Sequence, residues 1–87
     1  MGEDSVIKFP TPFPIKVMGR DSEEFRATAR MLVERHVGPI ADEAIREALS
    51  RKGNFVSITI TVIAMSQEQL DDIYRDVSSH EDVLMAL

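Results

Sequence analysis

A chain of 87 residues with 44% hydrophobic and 29% charged side chains makes one ordinary globular domain, and its size limits it to a single two-layer core. The absence of cysteine removes disulfides, thiolate nucleophiles and thiolate metal sites, and no apolar run approaches a membrane span. The acidic start Met1-Gly-Glu-Asp-Ser5 lacks the apolar core of a signal peptide, so the expected compartment is the cytoplasm.

The net charge of −5 is unevenly placed. Residues 66–87 carry Glu68, Asp71, Asp72, Asp76, Glu81 and Asp82 against Arg75 alone, which leaves the first 65 residues neutral. An acidic second half argues against nucleic acid or an anionic membrane as the main partner, because phosphate attraction scales with basic contacts. A solvated helix face accounts for those carboxylates.

Residues 1–8 read as a flexible tail and 9–87 as the domain. Alternating prolines in Phe9-Pro-Thr-Pro-Phe-Pro14 fix the backbone and remove three amide donors, which predicts an extended arm rather than a ladder strand. The PxxP spacing of an SH3 ligand is absent, and Phe9 and Phe13 are expected to pin the arm to the domain edge. Ile15–Met18 is a short strand, with Ile15 and Val17 inward, and Gly19 ends it. Asp21 and Glu24 fit a capping box, and Phe25, Ala29, Leu32, Val33 and His36 mark a helix from Ser22 to His36, closed by Gly38 and Pro39.

Residues 40–50 contain good helix formers, so local propensity favours a helix. The long strand that follows needs a partner, however, and Arg51-Lys-Gly-Asn54 reads as a hairpin turn, which assigns 43–50 to a short, charged edge strand. Asn54–Met65 is the clearest strand of the chain. Val56, Ile58, Ile60 and Val62 share one face, and Ser57, Thr59 and Thr61 share the other. Ser66 and Gln69 then form a second capping box, with Met65 and Leu70 as its hydrophobic staple. Leu70, Ile73, Tyr74 and Val77 mark a helix ending near Ser78, and Val83–Leu87 is a last strand. The order is that of an α+β, ferredoxin-like βαββαβ two-layer sandwich, a four-stranded antiparallel sheet with both helices on one face.

No catalytic constellation survives spacing. His36 and His80 each lack a second histidine at helical ligand spacing, and Asp71, Asp72 and Asp76 surround Arg75 in solvent, where screening prevents a tuned acid–base pair. The four glycines stand alone, so no phosphate-cradling loop is present, and neither a cofactor nor a metal is expected. Lys52-Gly-Asn-Phe-Val-Ser-Ile58 echoes the RNP1 pattern of RNA-recognition domains, but only Phe55 is aromatic. The candidate ligand position is Met18, Gly19, Arg20 and Asp21, where a strand delivers the chain to a helix N-terminus beside a guanidinium. The candidate interaction surface is the outward sheet face, with Lys16, Phe55, Ser57, Thr59 and Thr61.

Phe9-Pro-Thr-Pro-Phe-Pro-Ile-Lys-Val-Met-Gly19, with Lys52-Gly-Asn54 and Val56-Ser-Ile-Thr-Ile60, resembles the YbeD-like family of small bacterial proteins, from about residue 8 to residue 87. The resemblance implies a ferredoxin-like domain similar to the ACT-type regulatory domains that bind amino acids in metabolic enzymes, and it implies a strand at 43–50. It carries over no catalytic residues. By that analogy Gly19 matches the glycine of the strand–helix junction where effectors bind between paired domains, and this chain departs by having Arg20-Asp21 there. The expected function is a non-enzymatic regulatory or binding module, homodimeric, that engages a protein partner or a small metabolite. The alternative is single-stranded nucleic-acid binding through the open sheet face.

Overall fold

A computed structural model describes residues 7–87, so residues 1–6 of the expected tail lie outside it. The elements are β1 (Thr11–Arg20), α1 (Glu23–Val37), β2 (Ile45–Leu49), β3 (Phe55–Ala64), α2 (Gln67–Ser78) and β4 (Met85–Ala86). The strands form one antiparallel sheet in the order β2-β3-β1-β4, with the two long strands in the middle. The βαββαβ expectation therefore holds, and β3 lies centrally beside β1.

Alternation along β3 builds the core. Val56, Ile58, Ile60, Val62 and Ala64 are buried against Phe25, Ala29, Leu32 and Val33 of α1 and Leu70, Ile73 and Val77 of α2. Among the described residues no polar or charged side chain is buried, so the layer between sheet and helices is wholly apolar.

The proline segment departs from expectation. Rather than an arm, its residues from Thr11 onward begin β1, with Pro12 opposite Ile63 and Pro14 opposite Thr61. Strand geometry explains why this is tolerated. The Lys16 N–H donates to the Leu87 carbonyl at 3.0 Å and the Leu87 N–H to the Lys16 carbonyl at 2.8 Å, so even-numbered residues of β1 address the β4 side. Pro12 and Pro14 share that parity, and β4 pairs only with Val17 and Met18, so their missing donors face an edge with no neighbouring strand. Phe9 and Phe13 do pack on the core, and Phe13 meets Tyr74 of α2 edge to face at 6.4 Å. The Tyr74 hydroxyl, whose burial raises its pKa, donates to the Leu87 carbonyl at 2.8 Å and ties the chain end to α2.

Four further boundaries move. Gly19 does not end β1, which continues to Arg20, and the glycine is needed for packing: a Cβ there would stand 2.5 Å from the Phe25 ring. Ser22 caps α1 by accepting the Phe25 N–H at 3.0 Å, whereas Asp21 pairs with Arg26 at 2.7 Å, so the cap lies one residue beyond the expected Asp21 and the box expected from Asp21 and Glu24 is replaced by a simple serine cap. Residues Asp42–Ala44 form a 3₁₀ turn, and the expected strand at 43–50 is ladder-paired only over Ile45–Leu49. The second cap forms at Ser66 as expected, its Oγ accepting the Gln69 N–H at 3.0 Å, but Gln69 Oε1 reaches one residue further back than a capping box requires and accepts the Met65 N–H at 2.8 Å. Met65 itself is exposed while Leu70 is buried. The last strand shortens from Val83–Leu87 to Met85–Ala86.

The end of α1 is fixed by one carboxylate. Glu34 accepts the Ile40 N–H at 2.9 Å and the Arg30 Nε–H at 3.2 Å, and these two bonds hold its pKa below the usual carboxylate range. A carboxyl depressed on folding adds stability above its unfolded pKa and loses it as pH falls through the folded value. Acid unfolding followed by circular dichroism should therefore show a flatter acid limb for Glu34→Gln than for the wild type. Parallel limbs would contradict this assignment.

Candidate functional site

The sheet face turned away from the helices is uncovered, and strand register maps it into rows. Arg46 of β2 lies opposite Thr59 of β3, which lies opposite Lys16 of β1. The next row is Ala48, Ser57, Met18 and Met85, and the one after it pairs Phe55 with Arg20. In the other direction Thr61 faces Pro14 and Ile63 faces Pro12. Neighbouring strands are about 4.8 Å apart, so Lys16 and Arg46 stand about 10 Å apart with a threonine between them.

This face is apolar at one end and cationic around it. Met18, Gly19, Ser50, Phe55, Leu84 and Met85 line a hollow of about 320 Å³. Phe55 and Met85 remain substantially exposed, at 37% and 51%, although both are large apolar groups. The Arg20 guanidinium lies 5.8 Å from the Phe55 ring centre, a cation–π contact that joins the charged and apolar parts. A wider, shallower hollow at the other end is lined by Pro14, Ala41, Glu43, Ala44, Arg46, Thr59 and Thr61.

The strand–helix junction divides between the two sides of the sheet. Met18 and Arg20 belong to the open face, whereas Gly19 is packed under Phe25 and Asp21 turns to Arg26. On the helix side a cleft of about 530 Å³ runs past Arg20, Asp21, Ser22 and Asn54, but Glu24, Glu81 and Asp82 line it as well. Four carboxylates against one guanidinium oppose the anion that free helix amides would otherwise attract. The junction thus contributes to a candidate surface through Met18 and Arg20.

Both histidines have structural partners. His36 Nε2 lies 2.9 Å from Asp76 Oδ2, joining α1 to α2, and His80 Nδ1 accepts the Asp82 N–H at 3.1 Å. Among the described residues no group of three or more metal-ligating side chains converges, and no helix is long and apolar enough to cross a membrane.

The outward set read from sequence, Lys16, Phe55, Ser57, Thr59 and Thr61, does share one face. Arg46, Ala48 and Met85 complete it and were missed. Arg46 and Ala48 could have been found from alternation along β2, but Met85 needed the register of a two-residue strand that no local signal specifies.

Comparison with known proteins supplies the relationship. Residues 4–87 match the family described as "Protein of unknown function (DUF493)". A UPF0250 protein of Janthinobacterium sp. (strain Marseille) is 42% identical over 84 residues, spanning 97% of this chain and 92% of that one. A UPF0250 protein of Nitrosomonas europaea is 34% identical over the full length of both. Among solved structures, the solution structure of protein HP0495 from H. pylori superposes with a TM-score of 0.74 at 19% identity, covering 100% of this chain and 94% of that one. The C-terminal domain of the MgtC protein from Mycobacterium tuberculosis gives 0.61 at 12% identity, covering 94% of this chain and 89% of that one. At such identities the structural likenesses show the fold alone.

Proposed function

This chain belongs to the DUF493 family, the YbeD-like UPF0250 proteins, and from that premise and its geometry we propose that it is a non-enzymatic binding module of regulatory, ACT-like type, which engages a protein partner through its open sheet face. The observation that carries this reading is the uncovered face itself, where Phe55, Met85 and Met18 surround an apolar hollow. A small-metabolite role at the strand–helix junction has less support, because the cleft there is acidic and the space beside Gly19 is filled by Phe25. The structural occupation of His36 and His80 supports the non-enzymatic part. The compartment we propose is the cytoplasm, and residues 9–87 act as the binding unit.

Affinity capture at native expression, followed by mass spectrometry, tests the reading when three proteins are compared. Wild type and Met31→Asp, which alters an exposed apolar residue of α1, should recover the same partner. Phe55→Asp combined with Met85→Asp should lose it. Loss with Met31→Asp and retention with the double variant would transfer the interface to the helix layer and end this proposal.

A further inference from the structure

We propose that the occupant of the open sheet face is an acidic protein segment with a bulky apolar anchor. The anchor side chain sits among Met18, Phe55, Leu84 and Met85, and the carboxylates are held by Arg20 at one end and by Lys16 and Arg46 at the other. This rests on the reading that the open face binds a protein, and adds the chemistry of what it binds.

The arginines show the asymmetry. On the helix side, Arg26 pairs with Asp21 and Glu47, Arg30 with Glu34 and Asp42, Arg35 with Asp76, and Arg75 with Asp72. Lys16, Arg20 and Arg46 form no ion pair among the described residues, nor do Lys8, Arg51 and Lys52; none of the outward strand positions described above carries a carboxylate, and Glu43 of the 3₁₀ turn, which borders the hollow beside Arg46, does not pair with it. In a chain of net charge −5, the cations of one face are thus left without partners among the described residues. Complementary potentials steer association and fix register, so the matching surface is an acidic one. Arg20 borders the acidic cleft as well but pairs with none of its carboxylates; its planar fork can bind two oxygens at once, and its contact with Phe55 sets it beside the apolar hollow.

A second copy of this chain is a poor occupant. Open face on open face would set cations against cations. Open face on the acidic helix layer is a head-to-tail contact, which closes only as a ring or runs on as a filament. Nucleic acid fits the lining less well than a protein segment does. Single strands bind by stacking bases on aromatic rings, and this face offers one ring, with aliphatic and thioether groups making up the rest of the hollow.

Selection of short random peptides displayed on phage, panned against the full chain, tests the proposal. Selected peptides should be enriched in Asp and Glu next to Leu, Met, Phe or Trp. Purified peptides should bind about tenfold more weakly to Arg20→Glu and to Phe55→Asp, and more weakly as salt rises. Thermal unfolding of each variant must match the wild type, and Arg20→Lys, which keeps the charge without the fork, should retain part of the affinity. Peptides without carboxylates that are still lost with Phe55→Asp would overturn the acidic assignment and leave the open-face reading standing. Binding indifferent to both variants would overturn that reading as well. An absence of enrichment, or oligouridine that binds more tightly than any selected peptide and is lost with Arg20→Glu, would also count against an acidic protein segment.

Discussion

Gly19→Ala is expected to lower unfolding stability by about 1–3 kcal/mol, a large effect for one methyl group in an overpacked core. The added Cβ would lie 2.5 Å from one carbon of the Phe25 ring and 2.7 Å from two others, all in a buried side chain that cannot swing aside. Phe25 is held from both ends: its N–H is the donor to the Ser22 cap, and its ring lies under β1. Denaturant unfolding of Gly19→Ala, Phe25→Leu and the double variant forms a cycle that isolates this contact. The smaller Leu side chain should relieve part of the clash, so the double variant should be more stable than the two separate losses predict. Additive losses would mean that Gly19 is required for some other reason, such as a ligand approaching its backbone.

The second large effect separates the two faces of β3. Ile60→Ala should cost about 2–5 kcal/mol, because Ile60 is fully buried and its removal leaves a cavity between sheet and helices. Thr59→Ala, one residue away, should cost less than about 1 kcal/mol, since Thr59 faces outward between Lys16 and Arg46 and contributes mainly strand preference. Against a total stability of about ten times that smaller figure, the difference is readily measured by chemical denaturation. Equal costs at the two positions would show that the outward face is covered in the folded protein, and the binding account would fail with it.

How far the sequence could be read follows from which signals are local. Alternation from Val56 to Val62 places the central strand and its buried face without ambiguity, and Ser22, Ser66 and Gly38 sit where helix ends require them. Such features depend on neighbours a few residues away. The proline segment was legible as extended but not as paired, because a proline is excluded from a ladder only where its nitrogen meets a neighbouring strand, and that depends on how far β4 reaches. Gly19 was legible as special, but its reason is the Phe25 ring, a contact across the two layers that spacing does not reveal. At 43–50 helix propensity conflicted with the need of β3 for a partner, and the tertiary requirement prevailed over Ile45–Leu49.

The candidate surface was legible by half for the same reason. Alternation gives the residues of one strand that share a face, so Lys16, Met18, Phe55, Ser57, Thr59 and Thr61 could be grouped in advance. Which strands lie side by side fixes the rows, and only the rows bring Arg46 level with Lys16 and place Met85 beside Met18. The anion site expected at the helix N-terminus depended on what lines the cleft, and Glu81 and Asp82 arrive there from a turn far along the chain.

The central claim is that this protein works through its open sheet face, and the capture comparison tests it most directly. A partner recovered with wild type and with Met31→Asp, and absent with Phe55→Asp combined with Met85→Asp, is the predicted result. The same partner recovered at undiminished level with that double variant would contradict it.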